Sequence, residues 1–209
     1  MDVQPPIPSL FERITASVPD EKARVILHAG YDSFLRFGLR RSSMQDIADR
    51  AGMSRAALYL HFRNKDDIFR ALMEAYFTAA SEAVAETLAQ HDDPVEALTA
   101  AFAVQVGDAA EAMMRSPHAE ELLSHKRGAA ADIVAAGMRR LVDVYGDWLA
   151  SSVMAGCIAP EAIDGNPHRT ATTILAALDG LKHEELAWPD YLDARDRLAM
   201  LFGRALRRS

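Results

Sequence analysis

Arg55, Tyr59, His61 and Lys65 fall within the stretch SRAALYLHFRNK. A planar guanidinium can make a bidentate contact with the O6 and N7 of guanine. A phenol, an imidazole and an ammonium can each donate to phosphate oxygens. Upstream, Ser42 and Ser43 open a segment whose free amides and hydroxyls can hold an anion at the positive end of a helix. This chemistry recognises a polyanion and breaks no bond. Each residue also has a plainer use: Tyr59 could be a core aromatic, as Phe62 is expected to be, His61 could close a helix end, and Arg55 could be a solvated charge. A second cluster, His118, Glu121 and His125, has the i, i+3, i+7 spacing that could hold a metal. It is read here as a partly exposed stripe, with neither metal nor cofactor expected. Ser124 and His125 are neighbours on a helix and cannot act as nucleophile and base. No phosphate loop, paired-glycine fingerprint or zinc spacing occurs.

The elements that must position these groups are helical. Alanine, leucine, methionine and arginine are prominent and strand-like alternation is scarce, so an all-α fold is expected. Pro19, Asp20 and Glu21 start a helix whose apolar stripe, Val25, Ile26, Ala29 and Phe34, stops near Gly38. Capping-box spacing at Ser42/Gln45, or at Ser43/Asp46, starts a second helix, and Gly52 suits its left-handed end. Ser54 caps a third helix reaching about Phe62, and Asn64 opens a fourth reaching about Gln90. Further helices are expected over 94–114, 117–126, 129–155, 167–186 and 190–207. The organisation is then an arm over 1–18, a helix-turn-helix module over 19–66 and a helical bundle over 67–209.

Charge patterning agrees with this division. The 209-residue chain carries a net charge of −7, yet residues 36–70 hold eight Lys/Arg against four Asp/Glu. A basic module on an acidic body fits a local anion-binding face and argues against a coat of basic charge. Cys157 is the single cysteine, which excludes an intrachain disulfide. The start MDVQPPIPSLFER has neither a cationic nor an apolar targeting region, and no long uncharged apolar run occurs, so a cytoplasmic location is expected.

In the second and third helices, Ile47, Ala48, Ala51, Met53, Leu58 and Phe62 face inward, while Arg55, Ala56, Tyr59 and Leu60 face outward. A short helix braced in this way has the width to enter the major groove of B-DNA. The runs Phe34-x-x-x-Gly38, Ser43-Met44-x-Asp46-Ile47-Ala48, Ala51-Gly52-Met53-Ser54 and Leu58-Tyr59-x-His61-Phe62-x-x-Lys65 resemble the DNA-binding signature of TetR-type transcriptional regulators, over residues 19–75. The resemblance implies that Ser43 and Met44 stand at the phosphate-facing start of the bracing helix. It implies base-facing positions for Arg55, Ala56 and Ala57, and phosphate contacts from Tyr59, His61 and Lys65. Ala56 stands where the family often has glycine, and Ala57 where it often has threonine. Direct readout should therefore rest on Arg55 and on methyl contacts from the alanines, with a larger share left to DNA shape.

Beyond residue 67 the patterns carry less. Phe77, Phe102, Met113, Met138, Tyr145 and Trp148 are candidates for a cavity taking a small apolar or aromatic effector, since methionine packs adaptably. Ile174, Leu178 and Leu181, with Leu198, Leu201 and Phe202, form apolar stripes on the last two helices. The resemblance implies that such helices build a homodimer. Packing inside one subunit is the alternative that periodicity leaves open. The expected function is that of a DNA-binding, small-molecule-responsive repressor on a near-palindromic operator. The alternatives are an all-helical metal-dependent enzyme and an architectural binder of any duplex.

Overall fold

Glycine, proline and capping side chains divide the chain into ten α-helices in the computed structural model, which describes residues 10–183 and 186–208. They are α1 (Leu10–Ala16), α2 (Glu21–Arg41), α3 (Met44–Arg50), α4 (Arg55–Tyr59), α5 (Lys65–Leu88), α6 (Pro94–Met114), α7 (Ala119–Arg127), α8 (Ala131–Met154), α9 (Pro167–Gly180) and α10 (Trp188–Leu206). Among the described residues there is no β-strand; one isolated bridge joins Ile158 and Arg207. The expected arm is helical from Leu10, and residues 1–9 of it lie outside the described residues, as do 184–185 of the helix expected over 167–186.

Two compact units divide the chain. The first takes Met1–Ala79 with Gly107–Val134, and the second Ala80–Val106 with Ala135–Ser209. The unit holding the helix-turn-helix thus includes a second segment from far along the chain, which local patterning cannot reveal.

In the first unit, Ile26, Leu27, Phe34, Ile47, Ala48, Leu58, Ile68, Phe69, Leu72 and Leu122 form one core. Each of the leucine, isoleucine and phenylalanine side chains contributes about 1.5–3 kcal/mol by leaving water. Helix α2 begins with Asp20 accepting from the Lys22 amide at 2.9 Å. It breaks at Gly38, where φ is 73° and ψ is 164°, a conformation essentially reserved for glycine. The break is filled from α7: Glu121 Oε1 accepts from the Arg40 amide at 2.6 Å, and His118 Nε2 lies 3.2 Å from the Arg36 carbonyl. Arg70 donates to the Ala129 carbonyl and pairs with Asp132 at 2.6 Å, tying α5 to the start of α8.

In the second unit, Leu98, Phe102, Tyr145, Leu149, Ile174, Leu175, Leu178 and Tyr191 are fully or almost fully buried. Tyr145 donates to Gln105 Oε1 at 2.9 Å within this apolar surround. Asp93 caps α6 through the Val95 and Glu96 amides and pairs with Arg207 at 2.6 Å, which fixes the end of α10 to the start of α6. Ile174 and Leu178, expected on a dimer face, are interior residues of the subunit, at 0% and 1% exposure. The apolar stripe of α9 serves its own core first. Leu201 on α10 is 58% exposed.

Candidate nucleic-acid interface

Two adjacent serines precede α3, and the Gly38 break decides what each does. Ser42 is drawn inward as the residue closing α2: it is 2% exposed, and its hydroxyl lies 2.7 Å from the Gly38 carbonyl and 3.1 Å from that of Ser33. Its expected phosphate contact is therefore corrected, because the hydroxyl faces the core and is already bonded. Ser43 caps α3. Its hydroxyl accepts from the Asp46 amide at 3.1 Å, and Asp46 Oδ2 takes the Ser43 amide at 2.9 Å. The Ser43 hydroxyl also donates to Asp46 Oδ2 at 2.7 Å. These bonds from Ser43 hold the Asp46 carboxyl below its ordinary value. Asp46 already places a carboxylate at this helix start, and it takes the Ser43 amide that a phosphate could otherwise use. Met44 packs its side chain into the core at 8% exposure, leaving only its backbone to face outward.

Helix α3 ends in a Schellman turn: Gly52, at φ 67°, donates to the Asp49 carbonyl, and Met53 donates to that of Ala48. Ser54 then caps α4 by accepting the Ala57 amide at 3.1 Å. Only Leu58 of α4 is buried. The helix is shorter than expected, closing at Tyr59 with a turn through Phe62.

The outer face of α4 is organised. Arg55 donates to the Tyr59 hydroxyl at 3.2 Å, and its guanidinium stands 5.4 Å from the centroid of the Tyr59 ring. Both are exposed, so the pair pre-orients a planar donor on the outward side. Ala56 is exposed and Ala57 half-buried. His61 turns toward α2, with Nδ1 3.0 Å from Asp20 Oδ2. Lys65 is occupied as well: its ammonium donates to the Arg40 and Ser42 carbonyls at 3.0 Å each, satisfying the end of α2.

Sequence reasoning overlooked one exposed group here. Arg41, in the last turn of α2 beside Ser43, makes no side-chain bond among the described residues. The doublet Arg40-Arg41 was the available signal for it. Leu60, expected on the outer face, is 85% exposed just past α4. The potential metal stripe is engaged elsewhere: His118 Nδ1 stays 4.0 Å from Glu121 Oε2, but Glu121 accepts from the Arg40 amide, His118 Nε2 lies by the Arg36 carbonyl, and His125 lies 3.2 Å from Asp66 and edge-on to Phe69 at 4.9 Å. Among the described residues no group of three could hold a metal ion.

The cavity candidates separate. Phe77 and Met113 belong to the first unit, where Lys126 Nζ stands 5.8 Å from the Phe77 centroid. Phe102, Met138, Tyr145 and Trp148 belong to the second, with the Phe102 and Tyr145 rings 6.3 Å apart. Met138 lines an open groove of ≈ 580 Å³ with Val142 of α8 and Leu175 of α9. Among the described residues, no helix is long and apolar enough to cross a membrane.

A bracing helix, a glycine turn and an exposed second helix with an Arg–Tyr face define a helix-turn-helix DNA-binding protein. Residues 26–72 match the family described as bacterial regulatory proteins, tetR family. Over 193 residues the chain is 28% identical to the HTH-type transcriptional regulator TtgR of Pseudomonas putida, covering 87% of this chain and 88% of that one. Over 61 residues it is 38% identical to the HTH-type transcriptional repressor BepR of Brucella suis, 29% of each chain. Its fold is similar to that of SmeT in complex with triclosan, with a TM-score of 0.67, 24% identity and coverage of 91% of this chain and 93% of that one. A further structure of SmeT, the repressor of the Stenotrophomonas maltophilia multidrug efflux pump SmeDEF, has a TM-score of 0.65 at 22% identity, covering 94% and 93%. The chain thus carries the helix-turn-helix segment of the tetR family over residues 26–72 and is similar over most of its length to a regulator that has the same kind of reading head. It is a DNA-binding transcriptional regulator and not an enzyme.

Proposed function

We propose that this regulator is a cytoplasmic repressor that binds a near-palindromic operator as a homodimer and is released by a small apolar or aromatic molecule. The observation that carries the reading is the paired Arg55–Tyr59 face on a helix whose only buried residue is Leu58. Arg55 addresses a guanine, and Tyr59 adds a phosphate contact from the same pre-oriented pair. Ser43, Ala56 and Ala57 border this face, and the backbone of Met44 lies at the start of the bracing helix. Arg41 takes the cationic role expected of Lys65, because its side chain is free to meet phosphate. His61 joins only if it exchanges Asp20 for a phosphate oxygen.

The homodimer is assigned to the outward sides of α9 and α10, where Leu201 is exposed and Leu181, Leu198 and Phe202 are partly so. Two reading helices about 34–36 Å apart would then meet successive major grooves. The effector site is assigned to the second unit, near Phe102, Met138, Tyr145 and Trp148. Support for repression and for an aromatic effector comes from similarity to BepR and to SmeT with bound triclosan. An effector can release the operator only by binding the two states with different affinity.

Replacing Arg55 with Ala tests the reading. The expected result, in titrations over a panel of single-base operator variants, is a loss of about 1–3 kcal/mol with discrimination relaxed at one base pair. A uniform loss across the panel would move Arg55 to the phosphates.

A further inference from the structure

We infer that Leu60, in line with Ala56, reads thymine through its C5 methyl group, so that the operator half-site carries thymine opposite this row. The inference rests on the operator-binding reading above and adds a base preference to it. A solitary exposed leucine is ordinary on a protein surface. Leu60 is distinguished by its place. It is 85% exposed and, as the C-cap of α4, keeps right-handed helical dihedrals, φ −70° and ψ −23°, with its amide bonded to the Ala57 carbonyl at 3.2 Å, so it continues the path of α4 in a slightly tightened turn. Residues four apart on a helix are neighbours on one face. Ala56 and Leu60 therefore form one exposed row beside the row of Arg55 and Tyr59, which the 3.2 Å hydrogen bond joins. One row is polar and the other is apolar.

The chemistry of the groove makes the apolar row selective. Major-groove edges present donors, acceptors and a single apolar group, the thymine methyl. Leu60 has nothing to offer a donor, an acceptor or a phosphate oxygen. Placed against cytosine or a purine edge it would displace water from polar groups without replacing the bonds, which is unfavourable. Placed against thymine it removes a methyl and its own surface from water together. The row rises about 6 Å from residue 56 to residue 60, close to two base-pair steps, so the methyl groups it meets should lie about two steps apart.

The experiment uses the full chain and its operator, with each thymine of a half-site replaced singly by deoxyuridine, which lacks only the C5 methyl. At one or two positions the wild-type affinity is expected to fall about fourfold, the effect of one methyl group. Leu60→Ala should bind the unmodified operator correspondingly more weakly and become indifferent to uracil at those positions, while Leu60→Met should retain the sensitivity. Equal wild-type affinity for every uracil-substituted operator would overturn the inference and leave the regulator reading standing. So would a Leu60→Ala chain that weakens specific and random duplexes alike, or that keeps the uracil sensitivity. A wild-type chain that binds no operator would overturn the regulator reading and this inference with it.

Discussion

At the scale of single residues, side chains of the same chemical type divide between binding and architecture. Arg41 and Lys65 are both cations near the start of α3, yet Lys65 gives two of its three N–H groups to the Arg40 and Ser42 carbonyls. Lys65→Ala should therefore lower stability by about 1–2 kcal/mol in urea unfolding and leave the salt dependence of DNA binding unchanged. Arg41→Ala should do the reverse: unchanged stability, weaker binding to all duplexes, and a slope of log affinity against log salt reduced by about 1. The sequence made the residue types legible and left their partners hidden. Ser42 and Ser43 have nearly the same capping-box spacing, and only the way the chain leaves the Gly38 break decides which faces the core. His61 is paired with Asp20, 41 positions earlier, beyond the reach of any local pattern.

At the scale of elements, the short bracing and reading helices were legible because their determinants are local. Gly52 in a left-handed turn, Ser54 as a cap and the inward spacing of Ile47, Ala48 and Leu58 need no distant partner. The support of α2 was not legible, because Glu121 and His118 reach it from about 80 positions away. Ala at position 38 would combine a strained backbone with a Cβ 2.5 Å from Glu121 Oε2 and 3.0 Å from His118 Nδ1. Gly38→Ala should cost about 3 kcal/mol or more in thermal or urea unfolding. A second elementary tie is sensitive to acid. Hydrogen bonding from Arg70, followed by the backbone amide and the guanidinium charge, holds the Asp132 carboxyl at about 2. A carboxyl lowered on folding contributes stability that is present above its unfolded value near 4 and disappears as pH falls toward 2. Unfolding followed from pH 5 to pH 2 should show this loss in the wild type, and Asp132→Asn should be less stable at pH 5 and show a flatter dependence below pH 4.

At the scale of the molecule, a basic segment of one compact unit accompanies an acidic remainder, and the expected all-α architecture is the one observed. Periodicity located the helices of the second unit to within a few residues, apart from the end of α9. It could not assign their faces, since an apolar stripe looks the same whether it fills a core or meets a second copy. Ile174 and Leu178 took the first role, so the partner face proposed above falls on α10 and the outer side of α9. The central claim is that α4 presents a sequence-reading surface, and its most direct test is binding of the full chain at one fixed salt concentration. DNA flanking its own gene would be compared with scrambled duplex of equal length and composition. The account predicts affinity for one near-palindromic segment at least about 10³-fold above the scrambled duplex. Equal affinity for the two would contradict it.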